Sequence, residues 1–191
     1  STIQLAYAAR NDGVKVNDKA TSGSTGLKGS AFDVVVDINP QFDLFGANLF
    51  AGYHVSDMGD GYDGAASTQK RSADHEEGTA GIILTVGPVQ AGFQRSIEHP
   101  GNQTIGSTEY YANTNWGISF NVNDNLSLSY GDYASRKGFV NRGVDPTRHL
   151  SAQSWQVAYT MGGASIKIAE TDVTNASYAN DMTVTGTDKS G

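Results

Sequence analysis

Histidine is the side chain best suited to metal ligation or proton transfer, and this chain has four: His54, His75, His99 and His149. One falls in each region, and no two stand at the spacing of a metal-ligand pair, so each reads as a solvated side chain. His54 falls in a strand pattern and the other three in loops. The stretch 57–64 (DMGDGYDG) offers carboxylates at Asp57, Asp60 and Asp63. An EF-hand calcium loop requires acids at alternate positions and a closing glutamate, and neither is present. These three acids are weak candidates for a divalent ion, beside the plainer reading of an acidic surface loop. No Gly-x-Ser-x-Gly elbow, phosphate-cradling glycine loop or dinucleotide fingerprint occurs. The glycine-rich stretch 22–29 (SGSTGLKG) lacks a flanking strand and helix and reads as a loop. No catalytic residue and no cofactor is expected.

Composition narrows the classes further. Of 191 residues, 38% are apolar and 17% charged, and Gly, Ser, Thr, Asn and Gln fill the gap. A net charge of −7 and a pI near 4.9 do not suit a nucleic-acid partner. Cysteine is absent, which excludes a disulfide framework and thiolate metal sites. No run approaches the roughly 18–20 apolar residues of a membrane helix, but strands that cross a membrane are only half apolar and escape that test. The chain opens without Met or a signal peptide, as a mature chain or a piece of a longer one would.

What positions the polar residues is a period of two. Alternation of apolar and polar side chains runs through 2–10, 30–39, 47–56, 79–87, 88–97, 109–122, 126–134, 151–161 and 164–171, which predicts nine strands. Short connections (Gly87-Pro88, Asn123-Asp124-Asn125, Gly162-Gly163 and the longer 40–46) alternate strictly with long polar ones (11–29, 58–77, 98–108, 137–150). A soluble sandwich has no reason to obey that rule. A transmembrane β-barrel does, because its turns are short on one side of the membrane and its loops long on the other. The expected fold is therefore all-β, an antiparallel up-and-down transmembrane barrel, with residues 1–191 part of one barrel domain.

On that register one face is apolar and almost free of charge, although Phe50 and Arg95 are out of place. The other face would line a wet lumen with Arg10, Asp33, Asp37, His54, Glu109 and Lys167, and with Gln90, Gln94, Asn113, Asn115 and Gln156 between them. Such groups would set the field felt by permeating ions, or simply solvate a polar wall. Loop 136–148 collects Arg136, Lys137, Arg142 and Arg148, which would meet lipopolysaccharide phosphates or stay solvated.

The segment 116–133 (WGISFNVNDNLSLSYGDY) resembles the strand–turn–strand of Gram-negative porins, particularly alphaproteobacterial general porins. The stretch 155–169 (WQVAYTMGGASIKIA) has the same look. The resemblance implies a sixteen-stranded outer-membrane barrel, a homotrimer, and passive diffusion of small hydrophilic solutes. With nine strands and the ending TGTDKSG in place of a terminal aromatic, the chain departs from that pattern and is expected to be an internal portion. The expected partners are outer-membrane lipid, lipopolysaccharide and small solutes. The alternative is a surface-binding barrel, an adhesin or phage receptor acting through the long loops. A barrel enzyme would need a converging serine and histidine, and a soluble sandwich a dry inner face; neither pattern is visible.

Overall fold

Strands form here because Val, Ile, Tyr, Phe and Thr recur at every second position, where a pleated sheet accommodates them on one side. The computed structural model describes residues 1–9, 30–40, 42–57, 73–101, 106–140 and 147–179. Its strands are β1 (Thr2–Ala8), β2 (Ala31–Ile38), β3 (Gly46–Ser56), β4 (His75–Val86), β5 (Val89–His99), β6 (Thr108–Asn123), β7 (Leu126–Phe139), β8 (Arg148–Met161) and β9 (Ala164–Thr174). All nine pair antiparallel with their sequence neighbours in one sheet of order β1 to β9. The sheet does not close on itself: among the described residues, β1 and β9 are its free edges.

The turns hold the register. Gly87 (φ 54°) and Gly162 (φ 59°) put the positive φ at the first of two loop residues, as type II′ hairpins require. Between β6 and β7 the Asn123 Oδ1 accepts from the backbone N–H groups of Asn125 and Leu126, both at 2.9 Å. That Asx-type closure replaces glycine. Register shifts interrupt the β6–β7 ladder between Thr108 and Tyr110 and between Asn121 and Asn123.

Several strands run further than the alternation indicated. β4 begins at His75, β5 ends at His99, β7 continues to Phe139 and β8 starts at Arg148. His75, His99 and His149 are thus strand residues, and so are Arg136, Lys137 and Arg148, all expected in loops. At these ends both faces are polar, so the period-two contrast fades while the hydrogen-bond ladder continues.

Among the described residues no apolar side chain is buried, and the one fully buried side chain is Ser135, 1% exposed. The sheet is a single layer. Its apolar face carries Ile3, Leu5, Val36, Leu49, Ile82, Phe93, Trp116, Ile118, Leu128, Val157 and Ile168, many of them more than 40% exposed. A face of this size left in water opposes folding, because apolar burial is the main term that offsets chain entropy.

That face is not uniformly free of charge, contrary to the sequence expectation. Glu76, Arg95, Asp132, Arg136, Glu170 and Asp172 all share it. Their positions follow a rule: the apolar residues form a band slanted across the register. On β1 the band reaches up to Tyr7, whose register line runs through Phe32, Val55, Glu76 and His99. On β9 it stops at Ile168, whose line runs back through Val157, Leu128, Phe120, Val89 and Val86. On β4 these two lines lie about ten residues apart, at Glu76 and Val86. Over the steps from β1 to β9 the border therefore descends roughly 1.25 residues per strand. With a rise of about 3.3 Å per residue and a spacing of about 4.8 Å between strands, the strands tilt about 40° from the normal to the band. The lower border slides in parallel. Ile38, at the bottom of the band on β2, shares its register line with Asp172, which lies above the band on β9.

Phe50, out of place in the sequence pattern, has a local reason. Its ring lies over Gly81 on the polar face, and a Cβ at Gly81 would stand 2.3 Å from Phe50 Cζ and 2.8 Å from the Phe93 carbonyl oxygen. At Gly92 the nearest such atoms are at 3.8 Å. Gly81→Ala is therefore expected to lower stability by about 1–3 kcal/mol through overpacking, while Gly92→Ala stays close to neutral. The midpoints of urea unfolding for the two variants, measured side by side, check this order.

Candidate functional site on the polar face

The face opposite the apolar band is knit by side chains from neighbouring strands. Gln94 Nε2 donates to Thr79 Oγ1 (2.8 Å), Gln90 Nε2 to Thr85 Oγ1 (3.2 Å) and Asn113 Nδ2 to Ser96 Oγ (3.1 Å). Asn113 Oδ1 accepts from both Tyr133 (3.0 Å) and Ser135 (2.5 Å). Near the turn end, Asp37 accepts from Asn39 and, at 3.0 Å, from Asn48. Alternation brings these groups onto one wall, and their mutual hydrogen bonds satisfy them there without a core.

Towards the long-loop end a single register line carries most of the charge. It runs Asp33, His54, Glu77, Glu98, Tyr111, Lys137 and Arg148 from β2 to β8. The His54 Nδ1–H donates to Asp33 Oδ1 at 2.6 Å. The Lys137 ammonium stands over the rings of Tyr111 (5.6 Å), Phe139 (5.2 Å) and Tyr178 (5.9 Å), and the Arg148 guanidinium over Phe139 (5.1 Å). Acidic groups thus gather on β2 to β5 and basic ones on β7 and β8, across the same wall. An open recess at the acidic side is lined by Asp33, His54, Glu77, Glu98, Ser96 and Asn113, among others.

The chain beyond β9 turns back over this wall. Asn175 and Tyr178 take positive φ (55° and 52°), and Asn175 Nδ2 donates to the His149 carbonyl at 2.7 Å. Arg148 donates to the Tyr178 carbonyl (3.0 Å), and the Tyr178 hydroxyl meets Ser135 Oγ at 2.6 Å. Tyr178 is what covers Ser135. Burial pushes its hydroxyl pKa up, more than the Ser135 hydrogen bond lowers it.

Of the residues expected on the polar face, Asp33, Asp37, His54, Gln90, Gln94, Asn113, Asn115, Gln156 and Lys167 share the register of one face. Glu109 sits at the Thr108–Tyr110 irregularity, in a recess with Asp74, Glu76 and His99. Arg10, Asp60 and Asp63 lie outside the described residues. Asp57 is described; its backbone N–H donates to the Ser30 carbonyl at 2.9 Å. The weak metal candidates in that loop gain no support, but a different group stands together: His75, Glu77 and Glu98. Sequence reasoning missed these three because it ended β5 at residue 97 and began β4 at 79; it missed Tyr178 as well, and it placed Lys137 and Arg148 in a loop, as candidates to meet lipopolysaccharide phosphates, where the structure has them on β7 and β8. The His75-Glu76-Glu77 run is polar on both faces and carries no period-two contrast, so only the hydrogen-bond ladder marks it as strand.

Comparison of the chain with family models, curated proteins and solved structures gives no match.

The raised pKa of Tyr178 has a pH consequence. The folded chain holds the phenol proton more tightly than the unfolded one, so the docking it supports is complete below about pH 10 and weakens as pH rises through the shifted value. Subtracting the tyrosinate absorbance titration of Tyr178→Phe from that of the native chain should reveal one phenol that ionises above its ordinary range. A difference curve centred at the ordinary value would show that Tyr178 does not dock.

Proposed function

We propose that this chain is part of the wall of an outer-membrane porin, a water-filled channel through which small hydrophilic solutes and ions diffuse passively. The slanted apolar band carries the reading. Lipid supplies a slab with two parallel borders, and a barrel strand crosses it tilted by about 35–45°, so the apolar stretch must shift along each successive strand. The shift here corresponds to about 40°. A sandwich face covered by a second sheet has no need of parallel borders.

The upper border has the chemistry of a membrane interface. Phe93, Trp116, Tyr130 and Trp155 stand along it, with the Trp116 and Tyr130 rings 5.4 Å apart. The Trp155 indole N–H donates to Glu170 at 3.0 Å, just above the band. Aromatic rings with one apolar and one polar end favour that depth. On this reading the polar face meets water, and its acidic and basic groups face permeating ions. The short turns lie on the periplasmic side and the long loops outside, where lipopolysaccharide is the neighbour. Sixteen strands and a trimer are implied by the resemblance of 116–133 and 155–169 to general porins. No catalytic step is assigned.

Two measurements test the proposal at different levels. The protein reconstituted in planar bilayers should give ohmic conductance steps of channel size; a folded preparation that stays silent removes the pore and leaves the membrane barrel. Membrane placement is tested by arginine at two positions on one register line, Ile82 and Gln153. Ile82 lies inside the band and Gln153 above it. Ile82→Arg should cost about 2–4 kcal/mol and depress folding into lipid vesicles, whereas Gln153→Arg should cost about 0–1 kcal/mol. Equal losses would mean that the band does not follow a membrane.

A further inference from the structure

We infer that His75, Glu77 and Glu98 form a binding site for a zinc-class divalent metal on the polar face near the long-loop end. His75 and Glu77 are two residues apart on β4 and so share a face, and Glu98 is the register partner of Glu77 on β5. Their ligand atoms all lie within 4.8 Å of one another. The His75 Nε2 stands 3.1 Å from Glu77 Oε1 and 3.6 Å from Glu98 Oε1.

Those distances are informative. A tetrahedral zinc ion with bonds of about 2.0–2.1 Å holds its ligand atoms about 3.3 Å apart, and the two observed separations bracket that edge. The orientation agrees. The Nε2 atom is buried yet makes no hydrogen bond among the described residues, even with a carboxylate oxygen at 3.1 Å. A ring nitrogen meant for an ion pair would aim its N–H at an oxygen. This one is off-line from the Glu77 oxygen and out of hydrogen-bond reach of the Glu98 oxygen at 3.6 Å, as a lone pair aimed at an ion between them would be. Two converging carboxylates also repel, and a dication between them removes that cost.

The donor set selects the class of ion. One imidazole with two carboxylates suits zinc, and leaves a coordination position for water from the open side of the wall. Calcium prefers six to eight oxygens and magnesium an octahedral shell, neither of which this group supplies. Next to it, the His54 ring stands edge-on to that of His75 with centroids 6.1 Å apart, and its Nδ1 is engaged by Asp33. The site does not depend on the pore reading, because it uses only residues that the β3–β4–β5 register brings together.

The test is calorimetric titration of zinc chloride into the full chain folded in detergent and freed of metal. One equivalent should bind, and His75→Gln and Glu98→Gln should each weaken it by at least about tenfold. His99→Gln and His149→Gln, on the opposite face, should leave it unchanged. Zinc should also raise the urea midpoint of the native chain and not that of Glu98→Gln, which decides the matter if His75→Gln fails to fold. Absence of binding, binding that survives both substitutions, or loss with His99 or His149 instead would overturn the site. Calcium chloride binding as tightly as zinc would overturn the class of metal. Conductance plays no part in these readouts, so a silent channel and a missing metal site are separable results.

Discussion

In this chain the hydrogen-bond ladder between neighbouring strands does work that a hydrophobic core does elsewhere. Each strand is fixed only by the strands beside it, and side chains are sorted between two environments by their parity along the ladder. A slip of one residue would turn Leu128 and Val157 to the polar side and Ser129 and Gln156 to the apolar side. The tight turns at Gly87, Asn123 and Gly162 matter for that reason. They are the points from which register is counted, and an error at any of them propagates through a whole strand.

The same ladder explains how reactive groups meet without a pocket being built for them. Glu77 and Glu98 are far apart in sequence and adjacent because β4 and β5 fold back at Gly87-Pro88. His54 and Asp33 meet through the β2–β3 pairing, and Lys137 and Arg148 through β7–β8. Charge on the wall is distributed by strand order: acids on the early strands and bases on the later ones. Because these pairs are held by backbone hydrogen bonds, their separation is set by the strand spacing and not by the flexibility of long side chains.

The sequence made the number, order and facing of strands legible because apolar and polar residues alternate sharply in the middle of each strand. Val34 and Val36 against Asp33 and Asp37 leave no doubt about parity. Legibility failed at the upper ends. His75-Glu76-Glu77 and Ser135-Arg136-Lys137 are polar on both faces, so composition reads them as loop while the ladder carries on through them. The charged residues on the apolar face were hidden for a different reason. Arg95 and Asp132 look like defects in a strand read alone, and become orderly only when neighbouring strands are laid in register. Tyr178 was invisible because a return of the chain onto the wall has no periodic signature.

The up-and-down order bears on how such a sheet comes into being. Every pairing joins strands adjacent in sequence, so no long stretch of chain has to be closed into a loop before contacts reward it. Assembly can proceed one hairpin at a time, each finished strand offering its outer edge as the template for the next. The cost falls at the end of the process. The outer edges of β1 and β9 present unpaired backbone donors and acceptors, which in the proposed membrane setting only another strand could satisfy. Until both edges find strand partners, the open sheet is the species most exposed to pairing with a second copy of itself.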